Sequence, residues 1–124
     1  MKSQKRAFGD KGEQIAKMFL MKHGFIIVDT NFLKPWGEID IIARLNGELR
    51  FFEVKTAHVT YETNDRLMPE ENIHPDKVRR LLRTIDSYLL ENDLEEDWEL
   101  GAIIVEIHEA DSKAKVRYVE SIVG

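Results

Sequence analysis

Three carboxylates and one amine fall at alternating positions in two apolar stretches of this 124-residue chain. Glu38 and Asp40 alternate with apolar side chains in Gly37-Glu38-Ile39-Asp40-Ile41-Ile42-Ala43, and Glu53 and Lys55 do the same in Phe51-Phe52-Glu53-Val54-Lys55. Three negative charges against one positive charge, set among large hydrophobic residues, are costly if they are desolvated and uncompensated. Two remedies exist: a carboxylate takes up a proton with a raised pKa, or a cation sits between the oxygens. The chain has no cysteine, and an oxygen-only donor set selects a hard cation, Mg2+ or Mn2+. Mg2+ held by two carboxylates keeps several waters and binds phosphate, which suits phosphodiester chemistry. Lys55 then stands where it can orient water or stabilise developing phosphorane charge. The plainer reading is a solvent-facing strand pair glued by a Lys55 salt bridge.

The elements that must position these side chains can be read from local pattern. Asn46-Gly47 is a two-residue hairpin signal. With Leu45 opposite Glu48, counting outward puts Asp40 opposite Glu53 and Glu38 opposite Lys55. Directly opposed side chains share a sheet face with Cβ atoms about 4.5–5.5 Å apart. All four charged groups are then expected on one face, with Ile39, Ile41, Phe52 and Val54 on the other. Residues 3–23 are expected to form a helix, with Phe8, Ile15, Ala16, Phe19, Leu20 and His23 on one arc. Gly24 is expected at its C-terminal end. Gly9 and Gly12 weaken that helix unless another backbone approaches closely, and Glu13 lies at the border of its apolar arc. Phe25–Val28 reads as a short buried strand, followed by the turn formers Asp29, Thr30 and Asn31. Val78, Leu81, Leu82, Ile85 and Leu89 mark a second amphipathic helix that begins near 72–75. Residues 101–107 and 116–119 read as two further strands, the second at an edge. The expected fold class is α/β in the order α-β-β-β-α-β-β, with a mixed sheet flanked by helices and residues 1–124 forming one domain.

The formal net charge of -5 argues at first against a nucleic-acid partner. Six of the 23 acids (Glu91, Asp93, Glu95, Glu96, Asp97 and Glu99) lie in one short segment, leaving 17 acids against 18 bases elsewhere. That segment is expected to be a solvated loop. Bases gather at Lys5, Arg6 and Lys11, and again at Lys77, Arg79, Arg80 and Arg83. Each cluster alone is an ordinary solvated face. Two clusters in an otherwise neutral chain make phosphate contacts a reasonable role for them. No apolar run approaches the ~18 residues of a membrane span, and no signal-peptide pattern opens the chain. A cytoplasmic location is the expectation.

The segments at 37–43 and 51–55, together with Gly9-x-x-Gly12-Glu13-x-x-Ala16 on the first helix, resemble the YraN-like family of bacterial proteins. That family is similar to archaeal Holliday-junction resolvases and falls in the PD-(D/E)xK, restriction-endonuclease-like superfamily. The resemblance covers most of the chain and is most specific over residues 37–55. It implies a restriction-endonuclease-like core, Mg2+ dependence and DNA cleavage. It further implies that Asp40 and Glu53 are metal carboxylates, that the Val54 carbonyl is a ligand, that Lys55 is catalytic and that Glu13 joins the site. Glu38 is either a further ligand or the partner of Lys55. A homodimer follows from the resemblance alone, because a junction is cut symmetrically by two sites. Ile39 replaces the proline of the superfamily name, Ala57 replaces a basic residue common after the Glu-x-Lys, and Tyr61-Glu62-Thr63 stands where a glycine-rich run is expected.

Two other functions compete with DNA hydrolysis: a nucleic-acid-binding module of the same fold without useful catalysis, and a protein-interaction domain that works through the acidic segment 91–99. His23 is expected at a helix end, His58 and His74 in a polar loop and His108 on a strand surface, none of them catalytic. Trp36 and Trp98 are expected as core or edge aromatics.

Overall fold

The computed structural model describes residues 3–59, 74–108 and 113–120. The elements are α1 (Gln4–Lys22), β1 (Ile26–Lys34), β2 (Gly37–Leu45), β3 (Glu48–Val59), α2 (Pro75–Glu91), β4 (Trp98–His108) and β5 (Lys113–Val119). The order is therefore the expected α-β-β-β-α-β-β. The five strands form one sheet in the order β1-β2-β3-β4-β5. Only the β3–β4 pairing among them is parallel, which makes the sheet mixed, and β1 and β5 are its edges. The glycine-poor segment 61–63 lies outside the described residues. No helix among the described residues is long and apolar enough to cross a membrane.

The two helices cover opposite faces. Ala16 and Leu20 of α1 are buried with Ile41, Ala43, Phe52, Ile103 and Val105. Leu81, Ile85 and Tyr88 of α2 are buried with Ile39, Ile42, Phe51 and Leu100. Neighbouring strand residues thus feed opposite cores, the signature of a sheet buried on both sides. Truncating a fully buried Leu20 or Ile85 to alanine costs about 2–5 kcal/mol.

Each helix is started by its own local chemistry. Ser3 Oγ accepts from the Arg6 amide at 3.1 Å to cap α1. His74 Nδ1 accepts from the Asp76 amide at 3.1 Å to cap α2, with Pro75 in its first turn. Gly12 is buried where α1 crosses β3, and a Cβ there would collide with the Thr56 side chain. The expected close approach is real at Gly12, although it is made to a side chain. At Gly9 a Cβ would meet nothing within 4 Å, so that part of the expectation does not hold.

Two strand expectations need correction. The first strand is neither short nor buried: β1 runs over nine residues as an edge, with Ile26 and Leu33 about 70% exposed. Asp29, Thr30 and Asn31 lie within it instead of forming a turn, and the register shifts between Ile27 and Asp29. A bulge of this kind is a normal device on an exposed edge. The residues that turn the chain are Pro35 and Trp36, between the paired Lys34 and Gly37.

The second correction concerns the face alternation of β2. Ile41 packs on the α1 side and Ile39 on the α2 side, so the two do not share a face. The alternation reverses across Asp40. It also involves β1, where Phe32 pairs with Ile39 and packs in the same α2-side core. Asn31, the residue beside this pair, has φ +52°.

Candidate active site

The hairpin begins as its sequence dictates. Asn46 and Gly47 both have positive φ, +52° and +83°, as a tight turn of the favoured twist requires. Leu45 pairs with Glu48, and the register continues through Arg44–Leu49, Ala43–Arg50 and Ile42–Phe51 to Ile41–Phe52. There the β2–β3 ladder stops. Asp40 and Glu38 therefore do not form ladder pairs with Glu53 and Lys55. In place of a backbone acceptor, Asp40 Oδ2 accepts from the Val54 amide at 2.7 Å. Beyond this point β4 is the only strand paired with β3 among the described residues, in unbroken register from Leu49–Trp98 to Val59–His108. The physical reason is charge: carboxylates directly opposite one another repel, and a side-chain bond lets the strands part around them.

The parted strands form a fork with an acidic arm and a basic arm. On the acidic arm, Glu13 from α1 meets Glu38 and Asp40 from β2, with carboxylate oxygens of all three within 4.8 Å of one another. With its amide nitrogen turned toward Glu13, Asn31 of β1 donates to Oε2 at 3.2 Å and Oε1 at 3.3 Å. On the basic arm, the buried Glu53 carboxylate is held by Lys77 of α2 at 2.5 Å and by Lys55 at 3.7 Å. Lys77 was expected from the sequence only as a phosphate contact. Its place beside Glu53 depends on how α2 crosses the sheet, which no local pattern discloses.

The four strand groups consequently do not share one face as expected. Glu38 gathers with Glu13, while Lys55 and Glu53 gather with Lys77. Asp40 stands at the junction and feels both arms. Burial first, and then the Glu53 carboxylate, push the Asp40 pKa up to about 9, against the Val54 amide, which favours the anion. Glu13 is also raised, mainly by burial and further by Glu38 and Asp10, with hydrogen bonds to Asp40 and Asn31 opposing. A hydrogen bond between the Glu13 and Asp40 carboxyl groups can form only when one of them carries a proton. Burial lowers the Lys55 pKa and the adjacent Lys77 ammonium lowers it further, while Glu53 and Asp40 oppose. Burial acts against the Lys77 charge too, but its bond to Glu53 outweighs this and raises the Lys77 pKa.

This donor set fits a hard divalent cation. It is all oxygen, and like-charged groups crowd together at a cost that a proton on Asp40 and the Lys77–Glu53 ion pair relieve. Both are the compensations a cation would replace. Glu13, Glu38 and Asp40 are already convergent, and Glu53 and the Val54 carbonyl belong to the opposite limb of the fork.

The remaining candidates are dispersed. Lys5, Arg6 and Lys11 are exposed on α1, and Arg79 and Arg80 are exposed on α2. Arg79 pairs with Asp76. Arg83 lies over the Trp36 ring at 4.2 Å, which makes Trp36 an edge aromatic with a cationic neighbour. Trp98 packs edge-on against Phe51. His23 caps α1, with its Nδ1 2.8 Å from the Phe19 carbonyl oxygen. His58 packs against Phe8, and His108 lies 3.8 Å from Glu106. In the acidic segment Glu91, Glu96 and Glu99 are paired with Lys34, Arg44 and Arg50 of the same chain.

Comparison with known proteins places the chain in a family. Residues 12–117 match the model of the uncharacterised protein family UPF0102. A UPF0102 protein of Sulfurimonas denitrificans is 42% identical over 100 residues, covering 81% of this chain and 86% of its own length. One from Wolinella succinogenes is 36% identical over 117 residues, with 94% and 96% covered. One from Campylobacter fetus is 33% identical over 115 residues, with 93% and 92% covered. Among solved structures, SfsA of Pyrococcus furiosus in complex with Ca2+ aligns with a TM-score of 0.37 at 12% identity, over 94% of this chain and 64% of that one. An XisH family protein from Nostoc punctiforme aligns with a TM-score of 0.38 at 14% identity, over 88% and 98%. The family match spans both arms of the fork, from Glu13 through Lys77, and on that evidence the chain belongs to UPF0102, the YraN-like family.

Proposed function

We propose that this protein is a divalent-metal-dependent endonuclease that hydrolyses DNA phosphodiester bonds, with branched or junction DNA as its substrate. The observation that carries the reading is the convergence of Glu13, Glu38 and Asp40 within 4.8 Å beside the Glu53–Lys55 limb. Glu13, Glu38, Asp40 and Glu53 would hold Mg2+ or Mn2+, with the Val54 carbonyl as a further donor. When bound, the cation supplies charge neutralisation at the phosphodiester and a lowered pKa for attacking water. Asp40 would give up its proton on loading and keep its Val54 bond, which fixes the carboxylate. Lys55, on the Glu53 limb, would donate to a non-bridging phosphate oxygen as charge builds there. Lys77, released from Glu53, would be free to contact the same phosphate group. Lys5, Arg6, Lys11, Arg79, Arg80 and Arg83 would contact the DNA backbone outside the fork. A homodimer would present two such sites for symmetrical junction cleavage.

The interaction-domain reading is disfavoured by a specific observation: three of its acids are spent on intramolecular ion pairs. The test of the proposed activity compares wild type with Asp40→Ala on duplex, single-stranded and four-way-junction DNA in Mg2+ and in Mn2+. Metal-dependent cleavage lost in Asp40→Ala is the expected result. Cleavage that survives the substitution, or none by wild type on any substrate, would overturn it.

A further inference from the structure

Asn31 is a polar residue on an exposed edge strand, and nothing in its own sequence neighbourhood marks it as functional. Three observations set it apart. It is the one strand residue among those described whose φ lies in the left-handed region, at +52°. Asparagine tolerates that region better than other side-chain-bearing residues, but a strand interior does not ordinarily call for it. It falls between the pairs Thr30–Ile41 and Phe32–Ile39, across from Asp40 and at the point where β2 reverses its face alternation. Its amide faces both oxygens of Glu13, and with the nitrogen assigned to that side, as two acceptors require, it donates to them at 3.2 and 3.3 Å.

We infer that Asn31 is a positioning residue that fixes the Glu13 carboxylate of α1 against the Asp40 arm of β2. Glu13 is a long side chain on a helix surface, and its contact with Asp40 alone would leave the carboxylate plane free to turn. A donor bridging both oxygens sets the carboxylate plane and direction. An amide does this without adding charge. A lysine or arginine at the same place would neutralise Glu13 and compete with a cation, as Lys77 does at Glu53. The reversed backbone is what lets an edge-strand side chain lean inward to α1. The use of this arrangement to shape a metal site rests on the reading under Proposed function; the Asn31–Glu13 contact does not.

The experiment compares wild type, Asn31→Gly, Glu13→Gln and the double variant. Glycine keeps the positive φ and removes only the amide. Mn2+ affinity is read from the electron paramagnetic resonance signal of free Mn2+, and folding is checked by thermal melting in chelator. Asn31→Gly is expected to melt like wild type and to bind Mn2+ about tenfold more weakly. In the Glu13→Gln background the same change is expected to have no further effect. Unchanged affinity in Asn31→Gly, or a loss that persists in the Glu13→Gln background, would overturn the inference. In metal-free protein, the Asn31 side-chain NH2 resonances should shift in Glu13→Gln. If wild type takes up no Mn2+, the metal reading fails and this NH2 response alone decides the contact, with an unmoved resonance refuting it.

Discussion

Asp40 on β2 and Val54 on β3 are joined by a hydrogen bond from the Val54 amide to Asp40 Oδ2, 2.7 Å long, at the step where the β2–β3 ladder ends. A side chain here takes over the work of a backbone carbonyl. It holds the hairpin together while allowing the strands to part around charged groups. The same carboxylate carries a proton that burial and Glu53 retain to about pH 9.

That proton has a consequence for stability. A carboxyl whose pKa rises from 3.8 unfolded to about 9 folded favours the folded state most at low pH. Between these values the folded protein holds a proton that the unfolded chain has lost, so metal-free stability falls as pH rises. Asp40→Asn keeps an acceptor for the Val54 amide and cannot ionise. In chelator, its stability relative to wild type should grow from pH 5 to pH 8.5, read by urea unfolding. Asp40→Ala, which leaves the amide without this acceptor, should lose about 1–3 kcal/mol relative to Asp40→Asn. Parallel pH profiles for wild type and Asp40→Asn would count against the raised pKa.

The same proton must leave when a cation binds. Mn2+ affinity should rise with pH up to about 9, the folded pKa of Asp40. Calorimetry in buffers of different ionisation enthalpy should show release of about one proton per metal. Binding that is independent of pH would show that Asp40 is not displaced.

Lys77 and the metal are expected to compete for Glu53. The ion pair is 2.5 Å long and its carboxylate is buried, so Lys77→Met leaves a charge poorly compensated. Because Lys77 is partly exposed, the cost should be moderate, about 1–2 kcal/mol. The loss in melting temperature should be a few degrees in chelator and much smaller in saturating Mn2+. Equal losses in both conditions would mean that Glu53 does not change partners.

Gly9 and Gly12 should respond oppositely to alanine. Gly9→Ala meets open space and gains helix propensity, stabilising by about 0.5–1 kcal/mol. Gly12→Ala drives a methyl group into Thr56 and should cost about 1–3 kcal/mol by forcing α1 away from β3. Since Glu13 follows directly, Gly12→Ala should also weaken Mn2+ binding, whereas Gly9→Ala should not. Chemical denaturation and metal titration of the two variants check both halves.

Much of the framework was legible in the sequence. The Asn46-Gly47 turn set the register as far as Ile41–Phe52, and the apolar spacing of α1 and α2 located both helices. What failed was extrapolation past the last pair. Counting outward assumes that a ladder continues, and it cannot anticipate a side chain replacing a backbone acceptor. The reversal at Asp40 has the same character, because strict alternation is what sequence reasoning presumes. Asp-Thr-Asn ordinarily marks a turn, so Asn31 carries no local signal of its role. Its real setting is a bulged edge strand, visible only with β2 beside it. Glu13 and Lys77 come from helices far along the chain, so how they divide between the two arms is a tertiary fact.

Phosphodiester hydrolysis at this site requires that the fork between β2 and β3 bind a divalent cation. The most direct measurement is anomalous diffraction from crystals soaked in Mn2+. An anomalous peak is expected in the fork, within coordination distance of Asp40 and of oxygens from Glu13 or Glu38, with no such peak in Asp40→Ala crystals. An empty fork in wild-type crystals, or a peak confined to the acidic segment 91–99, would contradict it.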